Sequence, residues 1–252
     1  MKNEVASFLL ALQLLTRFPV KFEGLYSPER MANSIRYYPL IGLLVGGLSA
    51  LTFYVSHALF PVEIAVILAI IAGLFVTGAL HEDGLADTFD GMGGGRTREK
   101  ALDIMKDSRL GTYGALALIL ALALKAYSLM TIVPTLIPLT LLVGHSLSRL
   151  STVLVIATSR YARKDGTGKS VSGRVSMANW VIALLTSAIV MAAWLALHQP
   201  LSLICGCAGL VVGHILMRLF FERKLEGYTG DNLGAVQQTS EIGFYLGLVA
   251  WA

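Results

Sequence analysis

Six stretches of the chain are apolar over about the 20 residues that a helix needs to cross a bilayer, and no other feature constrains the fold as strongly. They are Tyr38–Phe60, Val62–Leu80, Leu110–Met130, Ile132–Ala157, Trp180–Leu197 and Leu201–Phe221. Lipid cannot satisfy backbone N–H and C=O groups, so such runs must be helical inside a membrane. A chain 55% hydrophobic and 14% charged fits that reading, because soluble domains run at about a quarter charged. The expected fold is all-α: a polytopic integral membrane helical bundle of six to seven transmembrane helices, forming a single domain over 1–252. The tail Ile242–Ala252 is apolar but only half a span long. Ser7–Leu15 is also too short to cross and is expected to lie in the interface or re-enter; Thr16-Arg17-Phe18-Pro19 follows it where a signal peptide would carry small residues.

Charge placement orients the bundle. Of the 20 basic residues, all but Lys125 and Arg149 fall in the N-terminal segment, the Glu82–Arg109 loop, the Arg160–Arg174 loop, the Arg218–Glu241 loop or at their edges. The positive-inside rule makes these four segments cytoplasmic, with active-site loops at about 82–109, 158–179 and 222–241. The net charge of +4 then reflects membrane topology rather than nucleic-acid binding. Cys205 and Cys207, two apart in an apolar run, point to different helix faces and form neither a disulfide nor a metal pair.

The chemistry concentrates after the second span. In His81-Glu82-Asp83-Gly84-Leu85-Ala86-Asp87-Thr88-Phe89-Asp90, the carboxylates Asp83, Asp87 and Asp90 recur at i, i+4, i+7 and share one helical face. Such a face repels itself unless a cation sits on it. Hard oxygen ligands at a membrane edge suit Mg²⁺, with Mn²⁺ an alternative, since these ions combine a few carboxylates with water and substrate phosphates. Asp107 and Asp231 are further candidate metal ligands. Asp83 and Asp87 are the candidate catalytic carboxylates, and His81 could accept a proton from an attacking hydroxyl. The turn Asp107-Ser108-Arg109-Leu110-Gly111 offers Arg109 to phosphate oxygens. Lys125 and Arg149 lie inside apolar spans, where an unpaired charge costs about 2.5 to 3.5 kcal/mol. With little acid in the spans to meet them, a polyphosphate or amide-rich ligand is the expected partner. Gly166-Thr167-Gly168-Lys169-Ser170 is not a nucleotide-binding P-loop, because Arg163 stands where its first glycine belongs. The glycine run Gly91-Met92-Gly93-Gly94-Gly95 reads as a connector.

Taken together, Thr16-Arg17-Phe18-Pro19, Tyr38-Pro39-Leu40-Ile41-Gly42, the His81–Gly91 segment, Asp107-Ser108-Arg109-Leu110-Gly111-Thr112-Tyr113-Gly114 and Thr229-Gly230-Asp231-Asn232-Leu233-Gly234-Ala235 resemble cobalamin synthase, the bacterial adenosylcobinamide-GDP ribazoletransferase family. The resemblance runs in order over nearly the whole chain. It implies a multi-pass enzyme of the bacterial inner membrane, with its N-terminus and active-site loops cytoplasmic. That enzyme joins adenosylcobinamide-GDP to α-ribazole, or to its 5′-phosphate, with Mg²⁺, and releases GMP. It also implies substrate contacts at Arg17, Ser108, Arg109, Lys125, Arg149, Thr229 and Gly230. Partners beyond the substrates and the lipid bilayer would be a second copy or other cobalamin-assembly enzymes. Two alternatives carry different chemistry: a CDP-alcohol phosphotransferase, whose Asp-Gly-x-x-Ala-Arg pattern has Asp87 in place of the Arg here, and a small-molecule transporter, whose site would lie nearer the midplane.

Overall fold

A computed structural model describes residues 2–20, 24, 26–163, 171 and 175–251. Eleven α-helices run in chain order among them: α1 Lys2–Leu15, α2 Pro28–Ser34, α3 Tyr38–His57, α4 Val62–Thr77, α5 Leu80–Gly94, α6 Arg98–Ile104, α7 Thr112–Thr131, α8 Ile137–Thr158, α9 Met177–Leu197, α10 Pro200–Leu225 and α11 Gly230–Trp251. The described residues contain no strand, only an isolated parallel bridge between Tyr161 and Tyr228. The Gly166 segment lies outside the described residues.

Among the described residues, five helical segments are long and apolar enough to cross a membrane: Pro28–His57, Thr112–Thr131, Pro134–Thr158, Met177–Leu197 and Pro200–Leu225. A sixth crossing results if α4 and α5, bent by 87° at their junction, count together. The outward faces of these helices are greasy, with Leu116, Ile119, Leu120 and Tyr127 on α7 and Leu184, Leu185 and Ile189 on α9 all exposed. An apolar surface that extensive belongs in lipid. α1, with 14 residues, is too short to cross and docks on the adjoining segment, where Arg36 pairs with Glu4 at 3.0 Å.

Two segments differ from the sequence expectation. The 82–109 stretch, expected as a cytoplasmic loop with one helical face, is mostly helix, filled by α5 and α6. The tail is not half a span, because its helix starts at Gly230 and runs 22 residues. Asn232, Gln237, Gln238, Ser240 and Glu241 are all buried on α11, facing other helices rather than lipid. α11 forms its most extensive contact with α10, and also packs on α5, α7 and α8. Closeness to α10 comes from glycine pairs four apart, Gly209/Gly213 on α10 and Gly243/Gly247 on α11; a Cβ on Gly243 would lie 2.3 Å from the Gly209 carbonyl oxygen. Small-xxx-small pairs of this kind let backbones approach where hydrophobicity alone drives no association.

Candidate active site

The site begins at the break between α4 and α5. Gly78 (φ +65°) and Ala79 (φ +57°) both adopt the left-handed conformation, and both of their N–H groups turn back towards the Leu74 carbonyl. Glycine takes this backbone freely; Ala79 is held in it by its surroundings. Arg17 covers the break: its backbone N–H donates to the Val76 carbonyl at 2.7 Å, and its side chain occupies the space a Cβ on Gly78 would need. The bend starts α5 at Leu80, with Asp83 exposed and Asp87 half-buried on it.

The start of α11 crosses α5 at Gly84. A Cβ there would lie 2.6 Å from the Asp231 carbonyl oxygen, so only glycine admits this approach. The crossing brings Asp231 to Asp83 and Asp87 from a second helix, close enough that Asp87 feels both other carboxylates and Arg163. Arg163 Nη2 donates to Asp231 Oδ2 at 2.8 Å. Asp83 and Asp231 line a cavity of about 140 Å³ together with His81, Gly230, Tyr38, Leu15 and Leu233. The cavity thus has an acidic end and an apolar wall.

Among the described residues, no three His, Cys, Asp or Glu side chains stand close enough to hold a metal ion by themselves. Asp83, Asp87 and Asp231 nonetheless fit Mg²⁺ by chemistry. They are hard oxygen donors, of which Asp231 is paired with Arg163, and Mg²⁺ commonly takes one or two carboxylates and completes its shell with water and phosphate.

Several expected site residues have other employment. Asp90 accepts hydrogen bonds from the N–H groups of Gly111 (2.7 Å) and Gly114 (2.8 Å) and is only 7% exposed, so it pins the start of α7 rather than facing an ion. Asp107 folds onto Arg109 in the exposed turn, and that guanidinium holds its carboxyl below the usual carboxylate range. With Asp90, Thr112 and Tyr113, the pair lines a separate open cavity that lacks Asp83, Asp87 and Asp231. Ser108 is exposed beside it. Thr229 is fully buried and caps α11: its N–H donates to Asn232 Oδ1 at 2.8 Å, and Asn232 Nδ2 reaches Thr88 Oγ1 at 3.0 Å. Gly230 faces open space on the cavity wall. His81 is buried on the wall shared by this cavity and a smaller interior one.

Lys125 and Arg149 meet acid that the sequence reading placed in a loop. Glu241 sits midway along α11, fully buried, and Lys125 Nζ lies 3.0 Å from its Oε1. Lys125 also donates to Gln238 Oε1 at 2.7 Å, and Gln238 Nε2 donates to Glu82 Oε1 at 2.8 Å. His145 Nδ1 stands 3.2 Å from both Glu241 and Arg149, while Gln237 and Tyr245 donate to Glu241 at 2.5 and 3.1 Å. These groups surround an interior cavity of about 20 Å³, room for one water, into which no diphosphate fits. Lys125 is therefore an internal ion-pair partner here, where a substrate contact was expected, and Arg149, 1% exposed, belongs to the same network. Sequence reasoning missed Arg163, Gln238 and the interior place of Glu241. The spacing of Asp231, Gly234, Gln238, Glu241 and Tyr245 at threes and fours was the signal that α11 starts early.

Comparison with known proteins agrees with this architecture. The family model described as cobalamin-5-phosphate synthase matches residues 7–249. A protein of Shewanella woodyi named adenosylcobinamide-GDP ribazoletransferase is 40% identical over 270 residues, covering 100% of this chain and 98% of the relative. Proteins of the same name from Shewanella baltica and Shewanella amazonensis are 41% and 42% identical, each over 98% of this chain and 95% and 96% of their own. No solved structure matches the chain. With the motifs, the helical bundle and full-length relatives in agreement, the chain belongs to the cobalamin-5-phosphate synthase family.

Proposed function

We propose that the chain is a membrane-embedded transferase that joins the cobinamide phosphate of adenosylcobinamide-GDP to α-ribazole, or to α-ribazole 5′-phosphate, with GMP as the leaving group. One observation carries the reading: Asp83 from α5 and Asp231 from α11 line one cavity whose remaining wall is largely apolar, with Asp87 one turn further along α5. A diphosphate donor and a flat aromatic acceptor call for that pairing of surfaces. Family membership supports the same substrates, rather than those of a CDP-alcohol phosphotransferase or a transporter.

Mg²⁺ held by Asp83, Asp87 and Asp231 would neutralise charge on the donor's diphosphate as the bond to GMP breaks. The remaining work falls to the chain's own groups. Exposed Arg109 is free to turn from Asp107 to the phosphates of the incoming nucleotide, for which its planar fork is suited. A ribazole hydroxyl attacks the corrinoid-linked phosphorus in line, and its proton passes to Asp83 or to His81, both on the cavity wall. The clustering of Lys and Arg supports a bacterial cell membrane location with the N-terminus and this site on the cytoplasmic side.

The test is formation of a cobalamin and GMP from the two substrates by the purified protein in liposomes with Mg²⁺. Asp83→Ala should remain inserted and lose turnover by at least about a hundredfold, the scale of losing a group that stabilises transition-state charge. Turnover undiminished by a chelator, or near-normal turnover by Asp83→Ala, would overturn the assignment.

A further inference from the structure

Arg163 is the one cation placed by the described residues directly on the acid group, and its bonding capacity is only partly used. Nη2 contacts Asp231 at 2.8 Å and the Met105 carbonyl at 3.3 Å, while Nε is buried with no partner. A guanidinium carries five N–H donors in a fixed fork, so this one retains donors for another anion. Its stem is anchored. Ala162 donates its N–H to the Tyr228 carbonyl and Tyr228 to the Arg160 carbonyl, both at 2.8 Å, and Arg98 holds the carbonyls of Leu225 and Ala162, also at 2.8 Å. The strip before Arg163 is thereby fastened to the turn before α11, and the guanidinium stays on Asp231.

We propose that Arg163 is a phosphate-positioning residue that neutralises Asp231 in the substrate-free enzyme and transfers to the donor's diphosphate when a divalent cation takes over Asp231. This rests on the transferase reading above. A dication and a guanidinium on one carboxylate repel each other, so they compete for Asp231. Phosphate oxygens offer the displaced fork an equivalent acceptor in the same place. Arg163 therefore opposes metal binding before the donor arrives and supports donor binding afterwards. A purely structural ion pair would give no such pair of opposite effects.

The experiment uses the full chain in detergent, with Mn²⁺ binding followed by electron paramagnetic resonance without substrate, and the KM for adenosylcobinamide-GDP measured separately. Arg163→Met should bind Mn²⁺ about three- to tenfold more tightly and raise the donor KM about tenfold or more, as expected for one exchanged charge contact. Arg163→Lys should keep the competition with Mn²⁺ yet still raise KM, because a single ammonium cannot fork. If the unaltered protein binds Mn²⁺ but Arg163→Met binds it equally or more weakly, the proposal is overturned while the transferase reading stands. If the Met variant fails to fold, a wild-type KM in the Lys variant overturns it. Absence of Mn²⁺ binding by the unaltered protein removes the metal from the proposed function and this role with it.

Discussion

Lys125 and Glu241 offer the sharpest test of how charge is used inside the bundle. They lie 3.0 Å apart, with side chains only 6% and 1% exposed, on two different helices, α7 and α11. Removing one member strands the other in a low-dielectric interior, a loss of about 3 to 5 kcal/mol for a broken buried pair. Lys125→Met leaves Glu241 facing His145, Gln237 and Tyr245, all of which still contact it, so the lower part of that range applies. Glu241→Gln leaves the Lys125 ammonium with the Gln238 carbonyl as its remaining acceptor and no carboxylate partner among the described residues, and the upper part applies. The double variant removes both charges and should cost at least about 2 kcal/mol less than the sum of the single changes, as expected for directly coupled sites. The assay is reversible unfolding in mixed detergent for all four proteins, with the donor KM measured alongside. A Lys125→Met protein of unaltered stability but much weakened donor binding would refute the internal pairing and return Lys125 to the substrate.

Two further substitutions probe the site's frame. Gly84→Ala should push α11 off α5 at Asp231, destabilising by about 1 to 3 kcal/mol and weakening Mn²⁺ binding, which titration by paramagnetic resonance would read. Asp90→Asn retains one acceptor for the start of α7 and should lose about 1 kcal/mol in thermal unfolding while binding Mn²⁺ as the unaltered protein does; lost metal affinity at full stability would make Asp90 a ligand after all.

The apolar helices were legible because the bilayer leaves few solutions for 20 greasy residues, and α3, α7, α8, α9 and α10 lie where the hydropathy pattern predicts them. α11 was not, because hydropathy weighs each polar side chain against lipid. Gln237, Gln238 and Glu241 never meet lipid; their partners are Ser148, Glu82 and Lys125 on three other helices. The carboxylate face of Asp83 and Asp87 followed from their spacing alone. Asp90 shares that spacing, yet its fate was decided by α7, whose first N–H groups land on it, and no local pattern announces that contact. The break before α5 was equally hidden: Gly78 is a familiar left-handed stop, but Ala79 adopts the same conformation without a sequence signal.

The distribution of charge has a common logic. The acid group at the α5–α11 crossing is a set of like charges that would push the two helices apart, and the Gly84 contact by itself only permits closeness. Attraction is supplied one layer deeper, where Gln238 of α11 holds Glu82 of α5 and the same glutamine meets Lys125 of α7, which in turn binds Glu241. His145 and Arg149 extend the tie to α8. Four helices are thus clamped beneath carboxylates that repel above. A tie of that kind fixes the spacing of the two helices, and preorganisation is what group transfer between two bound substrates requires. The intramembrane cations Lys125 and Arg149 thus belong to the network that ties α7 and α8 to the helix carrying Asp231.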